Sequence, residues 1–133
     1  MPPRRGTKQI IHWVTGESRE MSKTIHTDAV RDFFSAIRTL QTEEECFRFF
    51  EDVCTVNELL SISQRFEVAR MLTQKKTYLE IAGQTGASTA TISRVNRSLM
   101  YGNDGYTMVL ERMDAAEGAA AEGADGPEGQ EDA

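Results

Sequence analysis

"TYLEIAGQTGASTATISRVNRSL", residues 77–99, decides how this chain folds. Thr77 is followed three residues later by Glu80, the spacing at which each side chain satisfies a free amide of a helix's first turn. A short helix through Ile81, Ala82 and Gln84 follows and breaks at Gly86, which can take the positive φ of a tight turn. Ser88 then stands where it can cap a second helix, on which Ile92, Val95 and Leu99 recur at i, i+3 and i+7. Two helices joined by a Gly-containing turn make a helix-turn-helix, whose second helix enters the DNA major groove. Small Ala82 lets the helices cross closely, and Ile92 and Val95 plug the crossing.

The small polar side chains of the second helix fit that role. Its first turn must approach base edges and phosphates without obstruction, which suits Ser88, Thr89, Ala90 and Thr91. Hydroxyls can bond phosphates or bases, and methyl groups can pack on thymine. Ser93 can reach a backbone oxygen, and Arg94 and Arg97, one turn on, can attract phosphate with a strength that falls as salt rises.

Upstream, the chain reads as further helices. Val30, Phe33, Phe34, Ile37 and Leu40 give an amphipathic helix from about Asp28. Capping boxes recur at Thr42 with Glu45 and Thr55 with Glu58. The first opens a helix expected to bury Cys46, Phe47, Phe49, Phe50 and Val53, the second a helix expected to bury Leu59, Ile62, Phe66, Ala69 and Leu72. No alternating apolar run of strand length occurs, so the expected class is all-α. All six phenylalanines lie between Phe33 and Phe66. So heavy an aromatic load on so small a domain predicts a dimer that shares its core.

Charge separates by region. The 133 residues carry a net charge of −6, but Glu111–Ala133 holds eight acids against Arg112 alone, a net of −7. Between Ser61 and Tyr101 six bases (Arg65, Arg70, Lys75, Lys76, Arg94, Arg97) face Glu67 and Glu80, a net of +4. The acidity thus belongs to the tail, and the helix-turn-helix region is basic.

The expected organisation is a flexible extension over residues 1–24, a helical domain over 25–113 with its helix-turn-helix at 77–99, and a disordered acidic tail over 114–133. Ile10, Ile11, Trp13 and Val14 form an apolar knot too short to span a membrane, and no secretory pattern accompanies it, which points to the cytoplasm. Met21, where helical patterning begins, is an alternative start. Cys46 and Cys54 read as small buried hydrophobes, while His12 and His26 stand apart from any metal-ligand spacing. Neither catalytic residues nor a metal site is expected, and the additional catalytic domain of a transposase or recombinase, with its carboxylates for metal ions, is not expected either.

The stretches "CFRFFEDVCTVNELLSISQRFEVARML" and "GASTATISRVNRSLMYGNDGY", residues 46–72 and 86–106, resemble the Trp repressor superfamily and its YerC/YecD branch, over about Asp28 to Arg112. The resemblance implies an intertwined all-helical homodimer of six helices per chain that binds operator DNA as a transcriptional regulator. The DNA-facing positions it implies are Thr77 and Tyr78, then Ser88, Thr89, Ala90, Thr91 and Ser93. It also implies a ligand pocket. In the tryptophan-binding members the ligand lies between two arginines, which correspond here to Arg65 and Arg94, with a serine that corresponds to Ser98. Those members have glycine where this chain has Val95, whose branched side chain is expected to fill the space the ligand needs. Tryptophan is therefore not expected as corepressor, and no cofactor is expected. The competing expectation is a helical protein-interaction or dimerisation module whose hairpin is only structural.

Overall fold

The computed structural model describes residues 24–124, and all regular structure among them is helical. Six helices follow in order: α1 (Asp28–Ile37), α2 (Glu43–Val53), α3 (Val56–Thr73), α4 (Tyr78–Thr85), α5 (Thr89–Tyr101) and α6 (Gly105–Ala124). The chain divides between Asp52 and Val53 into two compact units.

In the first unit, Thr27 caps α1 by accepting from the Val30 amide at 3.1 Å. The rings of Phe33 and Phe49 stack with centroids 5.9 Å apart, and Phe49 meets Phe50 edge-on at 5.5 Å. Neither α1 nor α2 has a buried residue. The sequence reading requires correction here, because Cys46 is exposed, Phe47 is 53% exposed and Val53 50% exposed, and Cys54 is only half-buried. Periodicity identifies which face of a helix is apolar; it does not say what covers that face. The cap at Thr42 differs too. The Glu45 amide donates to Thr42 Oγ1 at 3.1 Å, but the Thr42 hydroxyl itself donates to the Glu45 carboxylate at 3.0 Å, so the Thr42 amide is not the group the carboxylate engages.

The second unit holds the core. Val68, Ala69 and Met71 of α3, Ile81 of α4, Ala87 of the turn, and Ile92 and Val95 of α5 form one buried cluster, with Leu72, Ala82, Leu99 and Tyr106 packed around it. Full burial of Ile81, Ile92 and Val68 contributes about 1.5–3 kcal/mol each. Of the row expected to be buried along α3, only Ala69 is; Leu59, Phe66 and Leu72 are half-buried and Ile62 is 54% exposed. Complete capping boxes open α3 at Thr55 and α4 at Thr77.

Helix α6 corrects the expected boundary at residue 113. It continues from Gly105 through Asp114 to Ala124, so the first part of the acidic segment is helical. The physical reason is propagation. Leu110 is buried and anchors the helix, and alanine and glutamate extend an existing helix without a second nucleation cost. The rest of the tail, and residues 1–23 of the extension expected over 1–24, lie outside the described residues.

Candidate nucleic-acid interface

The hairpin takes the geometry its residues dictate. Gly86 closes α4 with φ 71° in the left-handed region, where its amide donates to the Ala82 carbonyl at 3.0 Å. Ser88 then caps α5, accepting from the Thr91 amide at 3.1 Å and donating to Thr91 Oγ1 at 3.0 Å. The Thr85 hydroxyl bridges the turn, donating to the Ile81 carbonyl at 2.7 Å and accepting from the Ala87 amide at 3.1 Å. With Ile81, Ala87, Ile92 and Val95 buried beneath it, the turn is fixed by packing and by its own polar groups.

This arrangement separates the two sides of α5. Ile92 and Val95 face the core, whereas Thr89, Ala90, Ser93, Arg94 and Arg97 are exposed. Thr89, Ser93 and Arg97 follow one another at i, i+4 and i+8, so they share a stripe along the helix. At the start of α4, Thr77 is exposed and Tyr78 is 38% exposed. Ser88 is exposed, but its hydroxyl hydrogen is committed to Thr91, which leaves it an acceptor for any outside group. Thr91 is half-buried and turns inward.

Between α3, α5 and the start of α6 lies a cavity of about 160 Å³ lined by Ser61, Gln64, Arg65, Thr91, Arg94, Val95, Ser98 and Tyr106. Arg65, Arg94, Val95 and Ser98 thus meet around one space. Gln64, Ser61 and Tyr106 escaped the sequence reading. The first two flank Arg65 on α3 at helical spacing, a signal already present in the sequence, but Tyr106 arrives from α6 and carries no local signal. The Ser98 hydroxyl donates back to the Arg94 carbonyl at 3.3 Å. Glu67 lies 3.9 Å from Arg70, and among the described residues neither Glu67 nor Glu58 forms an ion pair with Arg65. Arg70 also sits over the Phe66 ring, 5.4 Å from its centroid.

Among the described residues two carboxyls, Glu58 and Glu80, are displaced from their ordinary value, and both belong to caps. The Thr55 amide bonded to Glu58 and the Thr77 amide bonded to Glu80 hold these groups below it. Lys76 adds a smaller electrostatic pull on Glu80. These shifts belong to helix starts rather than to acid–base chemistry.

The Trp repressor protein family model matches residues 28–114, which span α1 to the middle of α6. The chain belongs to the Trp repressor family. It is 57% identical over 84 residues to the uncharacterized protein YerC of Bacillus subtilis (strain 168), a match covering 63% of this chain and 81% of that protein. A crystal structure of a TrpR-like protein from Eubacterium eligens superimposes with a TM-score of 0.68 at 62% identity, covering 69% of this chain and 95% of that one. A second, from Staphylococcus aureus and described as a Trp repressor candidate, gives 0.68 at 54% identity over 69% of this chain and 92% of its own. Among the described residues no helix is long and apolar enough to cross a membrane.

Proposed function

We propose that this chain is a sequence-specific, double-stranded DNA-binding transcriptional regulator that acts as a homodimer and represses its targets. The observation that carries this reading is the division of α5. Its core side is locked by Ile92 and Val95, and its outer side presents Thr89, Ala90 and Ser93 with Arg94 and Arg97 behind them. Short side chains at the leading turn admit the helix to the major groove, and the arginines one turn back meet the phosphates. Thr77 and Tyr78, at the start of α4, contact the flanking backbone. No catalytic step enters this function.

Dimerisation is supported by the apolar surface each unit leaves open. Phe34 and Phe47 in the first unit, and Val56, Leu60 and Ile62 in the second, are all more than half exposed. Monomeric proteins rarely leave so much large apolar side chain in water. A two-fold dimer would read two half-sites about one helical turn, ~34 Å, apart.

The size of the cavity beneath α5 supports a regulator that tryptophan does not control. A space of about 160 Å³ is close to that which takes a benzene ring, roughly 150 Å³. An indole with an amino-acid backbone needs more. Selection from a random-sequence duplex library by the purified full chain at near-physiological salt, with and without tryptophan, tests the whole reading. The expected result is one palindromic motif, recovered equally in both arms. Retention without any shared motif, vanishing as salt rises, would reject sequence-specific regulation.

A further inference from the structure

Lys75 occupies a backbone position that lysine does not favour. Its φ is 63°, in the left-handed region where a side chain crowds its own carbonyl. The cause is the way α3 ends. The Lys75 amide donates to the Leu72 carbonyl and the Lys76 amide to the Met71 carbonyl, each at 3.1 Å. That pair of bonds is the helix-closing motif in which the left-handed residue is usually glycine. Among the described residues one other non-glycine has positive φ, Asp104 at 59°, and aspartate is among the residue types that tolerate this region. Glycine at position 75 would fold with less strain, so the lysine side chain answers to something other than folding.

Its surroundings indicate what that is. Lys75 is exposed, and among the described residues no carboxylate forms an ion pair with it, whereas Arg70 is engaged by Glu67 and Phe66. Lys76 acts on Glu80. Lys75 therefore carries one of the unneutralised charges of the basic segment. It stands two residues before Thr77, the cap of α4, and two backbone bonds hold its loop in one conformation. The ammonium is presented from a fixed base rather than from a loose loop.

We propose that Lys75 grips a DNA phosphate beside the groove that α5 enters, contributing affinity and register but no base preference. This rests on the DNA-binding function proposed above. A point cation on a flexible stem suits a phosphate, and contacts of that kind carry no sequence information directly.

The test compares the full-length wild type with Lys75→Gly, Lys75→Gln and Lys75→Arg, on the selected palindrome and on sheared genomic DNA. Lys75→Gly relieves the backbone, so its melting temperature should rise by a few degrees while its affinity falls; unfolding cannot then account for the loss. The slope of log affinity against log salt should shrink by about 0.9 per lost phosphate contact, equally on both DNAs. Lys75→Gln should lose the same slope without the rise in melting temperature, and Lys75→Arg should retain it. Salt-dependent binding by the wild type with an unchanged slope in Lys75→Gly overturns this inference and leaves the DNA-binding function standing. A loss confined to the palindrome overturns it as well, because the lysine would then be reading bases. A wild type that binds neither DNA at low salt removes the proposed function, and this inference with it.

Discussion

The side-chain amide of Gln64 donates a hydrogen bond of 3.0 Å to the carbonyl oxygen of Thr85. Thr85 is the last residue of α4, where carbonyls have no partner within the helix, and Gln64 lies on α3. The bond therefore supplies an acceptor's missing donor and ties the hairpin's turn to the helix beneath it. Gln64 also lines the cavity under α5, so one side chain touches both the turn and the space that supports it.

Gln64→Leu keeps the bulk and removes the donor, which leaves the part-buried Thr85 carbonyl unsatisfied. The expected loss of stability is about 1–3 kcal/mol, read from the midpoint of chemical denaturation. Operator affinity should fall with it, because the turn sets the angle between α4 and α5. A denaturation midpoint equal to that of the wild type would mean that water replaces the amide.

Two glycines differ in how they should respond to a methyl group. A Cβ on Gly86 meets nothing within 4 Å, so Gly86→Ala carries only the left-handed penalty, roughly 1–2 kcal/mol. A Cβ on Gly102 collides with the Ser98 carbonyl oxygen, the same atom to which the Gly102 amide donates at 3.0 Å. Backbone cannot yield as a flexible side chain can, so Gly102→Ala should be the more destabilising of the two. Thermal melts of both variants give the order directly.

Acid should weaken the helix starts. Glu58 and Glu80 are held below their ordinary value of 4.5, chiefly by the Thr55 and Thr77 amides. A carboxyl with a lowered folded-state pKa contributes its stability in full above the unfolded value and loses it as pH falls through the folded one. The wild type should therefore lose stability as pH drops below about 4.5, the ordinary value. The double variant Glu58→Gln, Glu80→Gln should show a flatter profile there, as glutamine can accept the same bonds without titrating. Matching profiles for the two proteins would assign the acid sensitivity to other carboxyls.

Local chemistry was legible in the sequence wherever a residue acts on its own neighbours. The boxes at Thr55 and Thr77, the cap at Ser88 and the left-handed Gly86 follow from residue type and a spacing of three or four. What escaped depends on other elements. Tyr106 reaches the cavity from α6, Gln64 reaches a turn 21 residues away, and the exposure of Phe47 is set by what packs on α2. The helical stretch Asp114–Ala124 was hidden for a further reason: low apolar content excludes a core but not a helix that grows from an anchored one.

The exposed phenylalanines give the dimer a sharp test. Phe47 is 53% exposed on a helix with no buried residue. Replacement of a core residue by glutamate would unfold a monomer, but a residue already in water tolerates it. Phe47→Glu should leave the helical circular dichroism spectrum in place, convert a sedimenting dimer to a monomer, and weaken operator binding by on the order of a hundredfold or more as the linkage between half-sites is lost. A wild type that sediments as a monomer would remove the shared-core dimer from the proposal.

Val95 allows the question of tryptophan to be settled on one protein. Its side chain is 3% exposed and lines the cavity with Arg65, Arg94 and Ser98. A ligand bound at a hundred times its dissociation constant would stabilise the fold by about 2.7 kcal/mol, a shift of several degrees for a domain of roughly this size. Millimolar tryptophan should leave the wild-type melting temperature where it is. Val95→Ala should cost about 2 kcal/mol through the space it opens, and Val95→Gly more, because glycine also weakens the helix. If space alone excludes the ligand, the Val95→Gly variant should recover part of its loss when tryptophan is added, while the wild type stays unresponsive. A response in both would show that Val95 leaves room, and one in neither that the arginines and Ser98 are not arranged to hold an amino acid.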